Sequence, residues 1–187
     1  MNLKRILIYL SFITLVTIIT YSCERDDICA ETTQTTPRLI IEFYDAADTD
    51  ELKNVPRLTV YGEGLVTDPT EASDTTLVFN NNINLVELPL RIGTEDETIT
   101  TRYVLEKETN FRLDTDDTTE SNIDIIEITY STEFVFVSRA CGYKSIFNNI
   151  SVTRVTDSEP WIGNIEIETT LESTIENENT THVRIFH

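Results

Sequence analysis

The sequence predicts an all-β protein, with a single antiparallel β-sandwich as the first choice and a barrel-like arrangement as the alternative. From Pro37 onward, short segments alternate apolar and polar residues with a period of two. These segments are rich in threonine, valine, isoleucine and aromatic residues, which favour strands. No window of a dozen residues keeps helical spacing. Eight to ten short strands between turn residues are typical of a sandwich or barrel.

The first half of the domain contains four predicted strands, at residues 39–44, 58–61, 76–79 and 85–88. Leu39, Ile41 and Phe43 share one face of the first strand. An acidic loop follows it, and glycines close the second strand. The three asparagines at 80–82 are interpreted as a turn. Pro89 is expected to end the fourth strand, because proline cannot donate a hydrogen bond to a neighbouring strand.

The second half continues the pattern, with strands predicted at residues 98–106, 110–113, 146–155, 164–170 and 182–186. The longest β signal covers residues 123–137, and a turn at 131–133 is expected to divide it into two strands. His182 is expected to be a surface or edge residue. An immunoglobulin-type core is less well supported, because Trp161 follows both downstream cysteines instead of lying between them.

Residues 1–22 have the features of a secretory signal. Lys4 and Arg5 give a positive start, and a fourteen-residue apolar run, 6–19, follows. As a helix this run would rise about 21 Å, which is short of the roughly 30 Å hydrocarbon core of a bilayer. The segment therefore predicts a signal peptide rather than a permanent membrane span.

Cys23 is the candidate lipidation site. Small Ser22 precedes it directly, as a lipid-accepting cysteine requires, although Thr20 and bulky Tyr21 make the match a relaxed one. Several acyl chains on one cysteine would anchor the protein stably, whereas one chain alone binds only marginally. A plain cleaved signal and an uncleaved anchor are the alternatives. The expected organisation is a lipoprotein signal peptide (1–22), a polar tether (23–36) and a β-sandwich domain (37–187).

The composition restricts the partners of the mature chain. Removing residues 1–22 takes away two basic residues and no acids, which leaves 12 basic against 33 acidic residues and a formal net charge of −21. Nucleic acid is excluded, since its phosphates would be repelled. Binding flat to anionic lipid is also disfavoured. The charge fits a well-solvated envelope protein, and capture of a cation or a basic partner is the sharper alternative.

With Cys23 acylated, Cys29 and Cys141 remain as an even pair in an oxidising compartment, which predicts a disulfide. The loop between them would be long, and the chain-entropy model gives about 4–5 kcal/mol for closing it. Two free thiols are the alternative.

Several segments resemble one known family. They are residues 26–29, 36–45, 88–90, 138–144, 161–162 and 182–186, in this order. Together they resemble an uncharacterised family of small lipoproteins from Bacteroidetes, a domain of unknown function. The resemblance implies attachment to the outer membrane and no established activity. Acidic residues just after the cysteine resemble that phylum's signal for export to the cell surface, so Glu24, Asp26 and Asp27 point to surface exposure, with the periplasmic face as the alternative.

Two acidic loops are candidate calcium sites, because calcium binds six to eight hard oxygens and clustered carboxylates can supply several. Neither loop has the EF-hand pattern, and a solvated loop is the other interpretation of both. No other metal site and no cofactor is predicted. The candidate ligands are Asp45, Asp48 and Asp50 in the first loop, and Asp114, Asp116 and Asp117 in the second.

Catalytic patterns are missing from the sequence. There are only two histidines, both near the end of the chain, which argues against zinc and imidazole chemistry. No Gly-x-Ser-x-Gly motif occurs, and a carboxylate-pair glycosidase lacks the expected aromatic platforms. Trp161 is a candidate for ligand stacking, with a core or rim role as the alternative. The sequence therefore predicts a non-enzymatic, lipid-anchored binding or accessory protein whose partner is an envelope protein or glycan. A carbohydrate- or calcium-dependent binding module is the alternative.

Overall fold

The computed structural model describes residues 28–33, 35–116, 118–168 and 173–187. The described part contains nine strands and one short helix, in the order β1 (Leu39–Tyr44), β2 (Val55–Gly62), β3 (Thr76–Ile83), β4 (Leu85–Leu88), β5 (Thr98–Lys107), α1 (Thr109–Leu113), β6 (Asn122–Ser138), β7 (Gly142–Arg154), β8 (Asn164–Ile167) and β9 (Val183–Phe186). The prediction of an all-β protein is confirmed.

The strands form two sheets. One has four strands in the order β4-β1-β9-β8, and the other has five in the order β3-β2-β5-β6-β7. Among the described strands neither sheet closes on itself, so the sandwich is confirmed over the barrel-like alternative. The expectation of purely antiparallel pairing is wrong in one place, because β1 and β9 run parallel, with Ile41 opposite Val183 and Tyr44 opposite Phe186. Strand β9 lies between β1 and β8, and its parallel pairing with β1 cannot arise from a hairpin, which joins antiparallel strands.

The chain divides into two compact units. The smaller includes the described residues 28–33 and 136–143, and the larger contains the described residues from 35 to 135 and from 144 to 187. The larger unit holds a core to which both sheets contribute alternate side chains. The fully buried large residues of that core include Leu39, Ile41, Phe43, Leu58, Leu88, Leu105, Ile126, Ile128, Tyr130, Phe147, Ile162 and Ile175.

Three local predictions are wrong. The first concerns residues 80–82, which belong to β3 and do not form a turn. The backbone N–H of Arg57 donates to the side chain of Asn82 at 2.8 Å, and the N–H of Asn80 donates to Thr59 Oγ1 at 2.9 Å. These side-chain bonds accompany the register shifts between β2 and β3, so the asparagines stay in an irregular strand instead of reversing the chain.

The second is the strand predicted at 110–113, where the structure has helix α1. Glu108 adopts a left-handed conformation with φ of 58° and ends β5 there. The hydroxyl of Thr109 then donates to Thr59 Oγ1 at 2.8 Å, and the N–H of Asp114 donates to the carbonyl of Asn110 at 3.0 Å. Five residues are too few to show a helical period in the sequence.

The third is the turn predicted at 131–133, because β6 runs through these residues without interruption. Thr132 is buried, and a loop before β5 pairs with it. Gly93 N–H donates to Thr132 Oγ1 at 3.3 Å, and Asp96 N–H donates to its carbonyl at 3.1 Å. The loop therefore hydrogen-bonds to the part of β6 that lies beyond the start of β5, and β6 stays extended there.

Within the described ranges, none of the helical structure is long and apolar enough to cross a bilayer.

Candidate functional site

The predicted lipidation site, Cys23, and the predicted signal, residues 1–22, lie outside the residues that the structure describes. They stay predictions. The first described part of the predicted tether is residues 28–33, which belong to the smaller unit.

The smaller unit contains a disulfide between Cys29 and Cys141, so the predicted pairing is confirmed. The two residues are 112 positions apart in sequence, and their Cα atoms are 4.8 Å apart. Cys141 lies in the turn between β6 and β7, where its N–H donates to Ser138 Oγ at 3.0 Å. Gly142 has a φ of 71°, which favours glycine at this point of the turn. The bond therefore joins the first described residues of the chain to the β6–β7 turn.

The same unit exposes an aromatic pair. The rings of Phe136 and Tyr143 meet edge to face with centroids 5.4 Å apart. Phe136 is 57% exposed and Tyr143 is 68% exposed, and Ile28 beside the disulfide is 83% exposed. Large side chains left in solvent in one small unit mark a candidate interaction surface.

The first acidic loop, residues 45–51, is closed by its own contacts. Asp45 accepts a hydrogen bond from Ala47 N–H at 2.9 Å and pairs with Lys53 Nζ at 3.3 Å, and these contacts lower its pKa. Asp48 accepts from the N–H of Asp50 at 3.4 Å. One of the three candidate ligands is therefore already paired with a cation.

The second acidic loop lies beside an open cavity of about 390 Å³, lined on one side by Phe111 and Arg112 of α1 and on the other by residues 119–121. Asp114 and Asp116 also line this cavity. Asp116 accepts hydrogen bonds from the hydroxyl and the N–H of Thr118, which lower its pKa. Asp117 lies outside the described residues. Across the described ranges, no group of three or more histidine, cysteine or acidic residues is arranged to hold a metal ion.

A buried ion pair, which the sequence did not indicate, supports this cavity. Glu106 is fully buried at the end of β5 and accepts two hydrogen bonds from Arg112, at 2.7 Å from Nε and 3.0 Å from Nη2. Arg112 also donates to the carbonyl of Pro69 at 2.7 Å. The hydrogen bond to Glu106 is the main cause of the raised pKa of Arg112. One guanidinium thus joins β5, α1 and the loop that precedes β3.

A second buried acid, Asp124, holds the segment before β8. Its Oδ2 accepts hydrogen bonds from the backbone N–H groups of Trp161, at 3.0 Å, and Ile162, at 2.7 Å. Its other oxygen lies 3.7 Å from Arg154 Nη1. Burial, followed by the hydrogen bond shared with Asp157, raises the pKa of Asp124 to about 6. The carboxylate therefore has a structural role in positioning Trp161.

Trp161 is a core residue, which excludes it as a stacking platform. Its side chain is 8% exposed, and its indole N–H donates to the carbonyl of Leu105 at 3.2 Å. The ring contacts Phe43 and His187, with centroids 6.1 Å and 5.6 Å away. The core alternative for this residue is correct.

His182 is buried, so the expectation of a surface or edge residue is wrong. It is 2% exposed, and its Nδ1 accepts a hydrogen bond from Ile40 N–H at 2.8 Å. The backbone N–H of His182 donates to the carbonyl of Ile40 at 3.0 Å. Because Nδ1 accepts, Nε2 carries the ring proton and donates to the carbonyl of Asn177 at 2.9 Å. Burial lowers the pKa of the imidazole. The neutral ring replaces a missing backbone partner at the start of β1.

A surface ion pair fixes the same end of β1. Glu178 accepts from the backbone N–H and Nε of Arg38 at 2.7 Å and 2.8 Å through one oxygen, and from Nη2 at 2.7 Å through the other. Arg38 also pairs with Glu87. The bond from Arg38 is the main reason that the pKa of Glu178 is lowered to about 2. Together with His182, this pair fastens the C-terminal segment to the residues that follow the predicted tether.

Comparison with protein families gives one match over well over half of the chain. The model of DUF6452, a family of unknown function, matches residues 57–187. Comparison with curated proteins and comparison with solved structures each returned no match. The matched region begins within β2 and extends through β9, so it omits only β1 and the first two residues of β2 among the described strands.

Proposed function

Because the chain belongs to DUF6452, a family of unknown function, we propose its role from its own residues. We propose a non-enzymatic lipoprotein of the Bacteroidetes type, anchored in the outer membrane through Cys23. Its β-sandwich serves as a binding or accessory domain for another component of the cell envelope. The face of the membrane is either periplasmic or the cell surface, and the acids that follow Cys23 favour the surface.

The observation that carries this proposal is the use of the three cysteines. Cys23 follows a short apolar run at the position of a lipid-accepting thiol. The other two, Cys29 and Cys141, are joined to each other. A disulfide that spans most of a domain suits an oxidising compartment outside the cytoplasm. An export signal and an internal disulfide support the same location by independent reasoning.

The buried polar groups support a role without catalysis. Glu106, Asp124 and His182 are the buried acids and the buried histidine of the described core, and each has a structural partner. Arg112 pairs with Glu106, and backbone groups of distant segments bond to Asp124 and His182. A catalytic acid or base would instead face a cleft that a substrate can enter.

Metabolic labelling with an alkyne-modified fatty acid tests the anchor. The full-length protein should incorporate the label, and Cys23→Ala should lose it. Cys29→Ala is the matched control, because it removes a cysteine six positions later and should keep the label. Labelling of Cys23→Ala at the level of the native protein would refute lipidation at this residue.

Crosslinking in the native membrane, followed by mass spectrometry, would identify the envelope component that the domain binds.

The second proposal is a calcium- or carbohydrate-dependent binding module at the cavity beside residues 114–120. The cavity supports it, because carboxylates and the ring of Phe111 line the same open space. A thermal-shift titration with Ca²⁺ and a glycan array with and without Ca²⁺ test it. Asp114→Asn should abolish any calcium-dependent shift, whereas Asp48→Asn in the other acidic loop should retain it. A native protein that shows neither a shift nor a glycan signal would eliminate this module.

A further inference from the structure

The β6–β7 tip, residues 136–143, carries apolar surface that the described residues of the smaller unit leave exposed. The exposed edge-to-face pair of Phe136 and Tyr143 lies in the same unit as the disulfide. Elsewhere in the described structure the large aromatic residues that meet edge to face, such as Tyr130 and Phe147, are buried. An aromatic pair that stays in water needs a partner to account for it.

The disulfide limits how far this tip can be from the lipid. Cys29 lies six positions after Cys23, and six fully extended residues span about 21 Å. The bond to Cys141 adds a Cα–Cα distance of only 4.8 Å. If Cys23 carries the lipid, the tip is therefore tied by a covalent path of that length to the surface of the bilayer. Without the disulfide, the path from Cys23 to Cys141 would run through more than a hundred residues.

The local charge also fits a lipid surface. The chain has 33 acidic residues, yet residues 134–156 contain none, and exposed Arg139 lies at the turn itself. Glu24, Asp26 and Asp27 lie between the lipid and the disulfide and oppose adhesion to anionic headgroups. The contact therefore depends on the aromatic rings more than on charge. Tyrosine favours the headgroup region of membranes, and phenylalanine is found on the apolar face of segments that lie at the membrane interface.

We propose that Phe136 and Tyr143 insert into the headgroup region of the bilayer that holds the Cys23 lipid. The inference rests on the lipid anchor proposed above. The protein then contacts the membrane at two places, through the acyl chains and through the β6–β7 tip. The disulfide keeps the tip close to the acyl chains. The tip is held against the bilayer, and the protein has a defined orientation on it.

Quenching by brominated lipids tests the insertion. The native chain has one tryptophan, so Trp161→Phe gives a background in which Phe136→Trp reports on the tip alone. The lipidated protein is reconstituted into vesicles of phosphatidylethanolamine and phosphatidylglycerol in equal parts, with and without bromine on the acyl chains. Ile92→Trp in the same background is the matched control, because Ile92 is 51% exposed and belongs to the larger unit.

We expect strong quenching and a blue-shifted emission for Phe136→Trp, and several-fold weaker quenching for Ile92→Trp. A labelled, vesicle-bound protein whose two reporters are quenched equally, or not at all, overturns the insertion and leaves the anchor intact. Loss of both the acyl label and vesicle binding overturns the anchor and the insertion together. A blue shift that occurs in native membranes but not in vesicles also overturns the insertion, since a membrane protein then covers the pair.

Hydroxyl-radical footprinting of the native sequence provides a second measurement in case Trp161→Phe fails to fold. Oxidation of Phe136 and Tyr143 should fall several-fold in vesicle-bound lipoprotein compared with the same protein released from its lipid by a protease. Oxidation of Ile92 should be the same in both samples. Equal oxidation of Phe136 and Tyr143 in both samples contradicts the insertion.

Discussion

The buried pair of Glu106 and Arg112 gives the sharpest test of how the larger unit is held together. Replacing Arg112 with methionine preserves much of the side-chain volume but removes both hydrogen bonds to a carboxylate that is fully buried. Removing one partner of a buried pair costs roughly 3–5 kcal/mol, because an uncompensated charge stays inside. The Arg112 side chain is 19% exposed, so some water can reach the site. We therefore expect a loss of about 3 kcal/mol, at the lower end of that range.

Urea unfolding, followed by the fluorescence of buried Trp161, measures this loss. For a domain of this size about 3 kcal/mol corresponds to a fall in Tm of about 6–12 °C. Arg102→Met is the matched control, since Arg102 pairs with Glu127 on a neighbouring strand but is 44% exposed. An ion pair this exposed contributes little to stability, because water screens the charges, so Arg102→Met should cost much less than Arg112→Met.

A double variant separates the lost attraction from the cost of the stranded charge. Glu106→Met together with Arg112→Met removes both charges, and it should recover most of the stability that Arg112→Met loses. The reasoning is refuted if Arg112→Met costs no more than Arg102→Met. A double variant that is as unstable as the sum of its single variants would also refute it, because the cost would then come from lost packing.

Three further predictions concern the covalent and titratable links. Cys141→Ser should lower the free energy of unfolding by about 4–5 kcal/mol, from the long loop that the disulfide closes; an unchanged urea midpoint would contradict this. The pKa of His182 is lowered in the folded state, so stability should fall as the pH drops below the unfolded value of about 6.5. His182→Gln should remove this part of the pH profile, and a profile identical to that of the native protein would show that titration of His182 does not cause the loss. The pKa of Glu178 is lowered to about 2, so its pair with Arg38 should stabilise the fold above about pH 4.5 and stop doing so as the pH falls to 2. Since the pair is partly exposed, Glu178→Gln should cost less than about 1 kcal/mol near neutral pH, and a larger loss there would be inconsistent with a surface pair.

The strands were predictable where one face of the sheet is buried and the other is not. In β6, Ile126, Ile128 and Tyr130 alternate with more exposed residues, and this period was visible in the sequence. Asp124 and Thr132 occupy the same buried face at the same period, so an aspartate in register with isoleucines was a readable sign of a buried acid. Asp124 is separate from the acidic loops in the sequence, by position and by period, so the clusters of acids in those loops do not reveal it.

Other features could not be predicted because they depend on distant partners. Glu106 is buried because Arg112 turns back onto it from a one-turn helix too short to show a period. His182 is buried because β9 runs parallel to β1 and brings the ring to Ile40, 142 residues away in sequence. Sequence patterns report local periodicity, and they contain no information about which strand becomes the neighbour of the last one. The pairing of Cys29 with Cys141 was predictable because only two cysteines remained once Cys23 was assigned to the lipid.

The parallel pairing of β1 and β9 explains why the C-terminal segment matters for an anchored domain. If Cys23 carries a lipid, a force on it reaches the larger unit by two covalent paths, one through the residues just before Leu39 and one through the Cys29–Cys141 disulfide. On the first path Arg38 is bonded to Glu178, and Ile40 is bonded to His182. A hairpin would pair β1 with a strand close to it in sequence. Strand β9 instead joins β1 to the C-terminal residues of the chain. Strands from both ends of the sequence then resist such a force. Local unfolding that starts before β1 would have to separate β1 from β9, the two central strands of the four-stranded sheet.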